Sequence, residues 1–492
     1  MHTTPVSIAR QLAWHTVLAL ACFATPIALG ADLTTPDVFG VMRSVPAYPA
    51  ASEFGDMRAD PCSLGPLESP LSLFESVEHA LCNNPRTRAT WANIKAQAAQ
   101  VGQAESSYLP TVSGSILAAH DHSSTFFESS LVSDVADRTH YASETVALNW
   151  VLFDFGTRGA AIAGAKKLLA AADADHNATL QQVFVSTARD YYAAIAGQAN
   201  INASIAAEDN ARKALDIATA RVTDGLSAIS DQWQAKTAYS QATYNRVRAQ
   251  SDYRRELGTL AIDMGLPPDT PIFLSQALES ARPDATFNQA ITDLLAEAAH
   301  DHPSLASARA QLDAAKARVD MVRAQGRPTI SLVTRRSRNN QPVSLGTGEG
   351  DVGAETNDTY IGLEIDIPIF EGFSRSYQIR AAQAEVEQRE ANLHDAEQQV
   401  ALGVWNSYEA LRSETENLKN TDVTLDSAQK ALDATQYRYQ KGVGGIVELL
   451  SAQTALANAN LQHILAQANW RSARLMLAAS LGHLGTINAL NP

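Results

Sequence analysis

Only three of the 492 residues are cysteine, and lysine plus arginine (38) fall well short of aspartate plus glutamate (53), leaving a net charge of −15. Binding to nucleic-acid phosphates needs a basic surface, so that balance excludes nucleic acid as a partner. Past residue 31 no apolar run approaches the roughly 20 residues that a membrane-spanning helix needs. A glycine-rich phosphate loop, a nucleophile elbow and a zinc-spaced His-Glu pair are all missing, so the chain reads as a non-enzyme without a cofactor. His120-Asp121-His122 falls in a predicted external loop and His300-Asp301-His302 in a helix-start linker, and neither reads as a metal site. Proline is absent from Thr157 to about Asp224 and from Ser374 to about Lys441, and those two gaps are the first positive signal.

The N-terminus has the features of an export signal over residues 1–30. Arg10 is the only early formal charge, Leu12 to Leu29 is apolar and alanine-rich, and Ala28-Leu29-Gly30 supplies small residues for cleavage. A lipoprotein signal ending at Cys22 is the competing reading, with Ala19-Leu20-Ala21 a poor match to the box it needs. Export leaves Cys62 and Cys82, which pair readily in an oxidising compartment. The expectation is a disulfide clipping the leader to the first half, stabilising by ~2–4 kcal/mol; two separate buried thiols are the alternative. Residues 31–70, rich in proline, glycine and short polar side chains, read as an extended arm.

The rest of the chain is written twice. Val151-Leu-Phe-Asp-Phe-Gly-Thr-Arg158 recurs as Pro368-Ile-Phe-Glu-Gly-Phe-Ser-Arg375, a shift of 217 residues (370 − 153). The same shift carries Arg221 to Arg438, Gly225 to Gly442, Tyr253 to Trp470 and Gly265 to Gly482. A tandem duplication with a leader replaces any domain count taken from length. The halves span 71–267 and 288–485, with a linker at 268–287 and a tail at 486–492.

Each half carries two zigzags. Val112, Gly114, Ile116 and Ala118 oppose Thr111, Ser113 and Ser115, and Val146, Leu148 and Trp150 oppose Thr145, Ala147 and Asn149. In the second half, Ile361, Leu363, Ile365, Ile367 and Ile369 alternate with Gly362, Glu364, Asp366 and Pro368. Period two with one apolar face predicts half-buried strands, at about 110–121, 141–154, 328–337 and 358–370. At about 10–12 residues they suit a barrel wall with lipid outside and water inside. Glu364 and Asp366 are then lumen charges, and Trp150, Phe153, Phe155, Phe370 and Phe373 form an interfacial belt. Four strands cannot close a membrane barrel, and hydrocarbon does not tolerate their open edges, so the chain must oligomerise. The proline-free stretches predict helices of about 100 Å. Each turns at a glycine and returns, giving hairpins at 157–264 and 374–483.

In this order of elements the chain resembles the TolC-type outer-membrane channels that serve multidrug efflux and type I protein secretion. Asn84-Pro85 and His302-Pro303, Tyr108-Leu-Pro110 and Gly326-Arg-Pro328, the two strand-exit cassettes and the tips Gly225-Leu-Ser-Ala-Ile-Ser-Asp231 and Tyr439 to Leu450 carry the resemblance from Leu71 to Leu484. It implies a mainly α fold with transmembrane β. Three copies would form a twelve-stranded barrel in the outer membrane above a twelve-helix periplasmic tunnel. A periplasmic adaptor and an inner-membrane ABC or proton-driven pump would open it. The resemblance places Glu448 in the first of two acidic aperture rings, with Ser451 at the second. Asp231 and Tyr439 match a closed-state hydrogen-bonded latch, and Gly444 stands where the family has an arginine. Gly225 and Leu226, with Gly442 and Val443 in the second copy, fall at the adaptor-docking tips. The alternative reading is a soluble periplasmic coiled-coil scaffold without a pore, which shares the helices and leaves the lipid-length zigzags unexplained.

Overall fold

The computed structural model describes residues 37–47, 49, 62, 67, 70–126, 128, 135–275, 290–342 and 352–482. The expected export signal with Cys22, the tail, most of the arm and much of the linker lie outside the described residues. The chain divides into two units, Met1–Gly40 and Val41–Pro492. Of the first, residues 37–40 form a turn closed by the Gly40 N–H donating to the Asp37 carbonyl.

In the second unit, α1 (Leu73–Asn83) starts on a capping box, Ser72 and Glu75 each accepting from the other's backbone N–H. Helix α2 (Pro85–Ser106) opens on proline, where a missing N–H costs nothing. Strands β1 (Thr111–Thr125) and β2 (Val135–Phe153) lead into α3 (Thr157–Thr223) and its return α4 (Ile229–Asp263). The second half repeats this as α5 (Ile291–Asp301), α6 (Pro303–Ala324), β3 (Thr329–Asn339), β4 (Thr356–Asp366), α7 (Ser374–Gln440) and α8 (Ile446–Ser480). Helices α3 and α7 are both 67 residues long, about 100 Å each at 1.5 Å per residue.

All four strands form one antiparallel sheet in the order β1-β2-β3-β4. Two expectations need correcting. The first hairpin runs well past its apolar part: His120 pairs with His140 and His122 with Arg138, so His120-Asp-His122 is strand, not loop. Polar side chains there do not interrupt a ladder built from backbone groups. Strand β4 stops at Asp366, short of Ile367 and Ile369, because Pro368 has no N–H to donate.

Helix α3 is the centre of the helical part, touching α1, α2, α4, α6 and α8. Fully buried Ala188, Ala194 and Ala218 let its neighbours approach closely. One apolar cluster joins α1, α3 and α4 through Leu81, Leu180, Phe184, Leu260 and Met264. A second joins α5, α7 and α8 through Leu294, Val404, Leu411 and Trp470. A third, near the tips, holds the two hairpins together through Ala218, Ala235, Leu432, Tyr439 and Leu449.

The described parts of the arm are tied down by specific contacts. The Trp91 indole donates to the Pro46 carbonyl (2.9 Å), and Cys62 is disulfide-bonded to Cys82 of α1. The buried His176 of α3 places Nε2 2.6 Å from the Pro49 carbonyl and Nδ1 2.8 Å from the Thr90 hydroxyl. The start of the predicted linker is likewise held, Ile272 and Leu274 being buried and the Leu71 N–H donating to the Phe273 carbonyl (2.7 Å).

Each strand-to-helix corner is held by an arginine and an acid four residues before it. Buried Arg158 donates to the carbonyls of Val151 (2.6 Å), Leu152 (3.3 Å) and Ser107 (3.3 Å) and to Asp154 (3.1 Å). Asp154 also accepts from the backbone of Gly156 and Arg158, supplying the orphan donors at the start of α3. In the second copy Arg375 makes a bidentate pair with Glu371 (3.0 and 2.8 Å). Phe155 and Phe373 hold positive φ (52° and 63°), conformations rare for aromatic residues, and the two corner networks hold the chain in them.

Arg158→Ala leaves buried carbonyls and Asp154 without their partner, and should cost about 2–4 kcal/mol. Arg375→Ala, in a more exposed pair, should cost about 1 kcal/mol. Thermal midpoints in detergent check the order. Burial holds the His176 pKa below the usual 6.5. The unfolded imidazole therefore takes up a proton first, and stability falls as pH drops from 6.5 towards the lower folded value. His176→Gln should flatten that slope in midpoints measured from pH 5 to 8.

Candidate channel, from barrel wall to helical tip

Cross-strand register sorts the sheet into two faces, since directly opposed residues share a side. One face carries Val112 and Ile116, Val146, Leu148 and Trp150, Ile330 and Leu332, and Ile361, Leu363 and Ile365 in matched rows. Ile116, Ile361 and Leu363 are 83%, 74% and 68% exposed in the single chain, an apolar surface that no soluble face would present at this extent. The other face carries Thr111, Ser113 and Ser115, Thr145 and Asn149, Ser331, and the predicted lumen charges Glu364 and Asp366, opposite Ser331 and Thr329. This is a wall with a lipid side and a water side. Trp150 donates its indole N–H to the Tyr108 carbonyl (2.9 Å), and the Phe153–Phe155 and Phe370–Phe373 ring pairs sit at the corners, where an interfacial belt belongs.

At the far end of the helices both hairpins turn the same way. The Leu226 N–H reaches back to the Arg221 carbonyl (2.8 Å) and Gly225 to Val222 (3.1 Å); Val443 and Gly442 do likewise to Arg438 (3.0 Å) and Tyr439 (3.1 Å). These are Schellman stops, and they need Gly225 and Gly442 at φ +70° and +79°. The apolar residue after each glycine usually packs back on its helix, yet Leu226 and Val443 are 68% and 69% exposed. A Cβ on Gly444 would lie 3.2 Å from Arg438 Cβ and from the Tyr439 nitrogen, so an arginine there would crowd the end of α7.

Glu448 and Ser451 lie three residues apart, on one exposed side of α8. Glu448 is not alone: Arg438 Nη1 sits 2.5 Å from its Oε1. Tyr439 is 2% exposed, and the expected hydrogen bond from its hydroxyl to Asp231 is not made; that hydroxyl has no partner among the described residues. Arg221 holds the tyrosine instead, its Nη1 donating to the Tyr439 carbonyl (2.8 Å) and its guanidinium 5.0 Å from the ring centroid. Burial raises the Tyr439 phenol above its usual pKa, Arg221 opposes the rise and the Asp231 charge adds to it, so Asp231 is within electrostatic reach. The Asp231 carboxylate accepts from Ser230 Oγ (3.4 Å). Sequence reading missed Arg221 and Arg438 as tip residues. The signal was an arginine four residues before each tip glycine, in both copies.

The sequence model of the family described as Outer membrane efflux protein matches residues 77–265 and 294–483, one match per half of the duplication. Protein CyaE of Bordetella pertussis is 32% identical over 417 residues, 84% of this chain and 85% of that protein. Outer membrane protein TolC of Escherichia coli is 23% identical over 84% of this chain and 82% of its own length. The crystal structure of the outer membrane protein VceC from Vibrio cholerae shares the fold, with a TM-score of 0.67 at 21% identity, covering 83% of this chain and 96% of VceC. The chain belongs to the outer membrane efflux protein family, and is a channel protein of the outer membrane with a helical periplasmic extension.

Proposed function

We propose that three copies of the chain close one barrel and one tunnel, forming the exit duct of a tripartite export system for type I protein secretion or multidrug efflux. The two-faced sheet carries this reading. Its four strands leave β1 and β4 as open edges, and unpaired backbone groups are intolerable in hydrocarbon. Three such sheets joined edge to edge give twelve strands around a polar bore lined by residues such as Glu364 and Asp366. The helical hairpins extend that bore into the periplasm, and energy comes from an inner-membrane ABC or proton-driven pump.

Exposed Leu226 and Val443 support docking of a periplasmic adaptor at the tips. Arg221, rather than Asp231, holds Tyr439 at the tip, and release of those Arg221 contacts accompanies opening. Glu448 lines the narrowest ring, with Ser451 in the next. Because Arg438 sits beside Glu448, the ring is charge-compensated, and this half-exposed pair is worth no more than about 1 kcal/mol, weak enough to separate in an opening step.

A strain lacking the gene tests the duct. Its drug susceptibility and secreted proteome should change in at least one respect, and loss of neither would defeat the reading. Leu226→Asp with Val443→Asp should abolish export while leaving the purified oligomer intact. In planar bilayers Arg438→Gln should raise cation preference several-fold, and Glu448→Gln should lower it. A reversal potential unmoved by both removes Glu448 from the bore.

A further inference from the structure

Helix α3 has a covered side and a bare side. Leu180, Phe184 and Tyr191 share one stripe, packed against Leu81 of α1, and the Tyr191 hydroxyl donates to the Leu71 carbonyl (3.3 Å). Arg189, Ala193, Ala196 and Asn200 stand about half a turn away from that stripe, counting 3.6 residues per turn. Helix α8 is divided in the same manner. Ala466, Trp470 and Leu477 join Leu294 of α5 in one cluster, while Leu461, Leu465 and Met476 lie on the far side. A bore filled by α1 and α5 would pass no cargo, so the covered sides are the outside of the tunnel and the bare sides face the bore.

Between the two bare sides lies a recess of about 390 Å³, flanked by Glu256 of α4 and Glu414 of α7. It sits midway along the tunnel, away from the tips: Gly197 is 40 residues (197 − 157) from the start of α3, about 60 Å at 1.5 Å per residue. Leu461, Leu465 and Met476 are exposed in it, an apolar patch on a wall that must meet water. Glu256 Oε2 is buried and has no hydrogen-bond partner among the described residues. It rests against the bare backbone of α3, where a Cβ on Gly197 would collide with it. Burial pushes the Glu256 carboxyl above its usual pKa and the Asp252 charge adds to the rise, with Arg255 opposing. The other charges at the recess are already engaged: Arg189 pairs with Asp190 (3.1 Å), and Glu414 accepts from the Asn417 amide (3.4 Å).

We infer that this recess is a binding site for amphiphilic organic monocations, with the Glu256 carboxylate as counter-ion and Leu461, Leu465 and Met476 receiving the apolar body. A carboxylate oxygen that has lost water and gained no donor is costly, and a cation beside it removes that cost. A bare metal ion would need oxygen ligands on all sides, which a largely apolar lining does not offer. An anion would face two carboxylates. The volume lies in the range of small-molecule sites. The direction in which the recess opens rests on the export reading, and an ion held there stands in the path of the cargo.

The test uses the purified full-length protein in phosphatidylcholine nanodiscs, with empty nanodiscs as the blank. Equilibrium dialysis compares tetraphenylphosphonium with tetraphenylborate, an anion of nearly the same shape. The cation should bind saturably, one per chain, at least ten-fold more tightly than the anion. E256Q should weaken it at least ten-fold. G197A keeps the carboxyl but pushes it off the wall, and alanine suits a helix interior better than glycine does, so the helix stays intact. It should weaken binding several-fold, and adding it to E256Q should cost little more. D426N, in an exposed pair with Lys430 further along α7, should leave binding unchanged. In planar bilayers, where each variant's conductance certifies its folding, tetraphenylphosphonium should lower the wild-type current and leave that of E256Q unaffected. Equal binding by the wild type and E256Q overturns the inference, as does equal affinity for cation and anion, which would make the recess merely apolar. Binding without any fall in current places the ion outside the bore and overturns it too. A channel that conducts but binds no tetraphenylphosphonium overturns the inference and leaves the export reading standing, whereas a protein that never conducts sinks both.

Discussion

A strand satisfies its backbone sideways and a helix along its own axis, so the residues where one becomes the other belong to neither system. This chain meets that problem twice, and each time an arginine four residues after an acid resolves it. Arg158 gathers the last carbonyls of β2 and the end of α2 while Asp154 supplies the first donors of α3. The whole length of α3 projects from that corner. A small error in its angle would displace the tip by many ångströms, which is why buried, multiply bonded groups sit where a flexible loop would otherwise do. The second corner, with Arg375 and Glu371, is more exposed and draws on Gln325 and Gln378 as well.

Below the corners, alanine governs the packing. Rods this long gain little from isolated propensity, because helical stability comes from the faces they bury against one another. Small side chains on α3 let five neighbours approach, and larger ones gather only in separate clusters along its length. Neither half could make this arrangement alone: α6 and α8 of the second copy cover the helix that the first copy leaves open. The bound arm adds a third layer, with the disulfide, the Trp91 indole and the His176 ring spaced along α1, α2 and α3.

The two ends of the molecule use charge differently. At the sheet, Glu364 and Asp366 stand singly on the water side, opposite the uncharged Ser331 and Thr329. At the tip, the charges come in pairs: Arg438 against Glu448, and Arg221 against the carbonyl and ring of Tyr439. The half-exposed Arg438–Glu448 pair stabilises little and separates readily, a property suited to the opening step proposed for the tip. Membership in the outer-membrane family displaces the soluble-scaffold alternative, which had no use for an exposed apolar sheet.

Much of this was legible beforehand because it is local or repetitive. The duplication, the proline-free rods, the glycine stops, the two-faced strands and the pairing of Cys62 with Cys82 follow from periods, propensities and the scarcity of cysteine. What periodicity could not supply was the extent of the β1–β2 ladder through His120 and His140, since hydropathy reports burial and backbone pairing continues without it. Nor could it show that Arg221, 218 residues (439 − 221) from Tyr439, would take the place expected of Asp231, or that Arg438 would meet Glu448 across the turn. Local sequence therefore determined the elements and their faces, because those depend on neighbours a few residues away. Tertiary structure alone decided the charge partners, because a long flexible side chain pairs with whatever the packed helices bring within about 3 Å, and that distance is set by the fold.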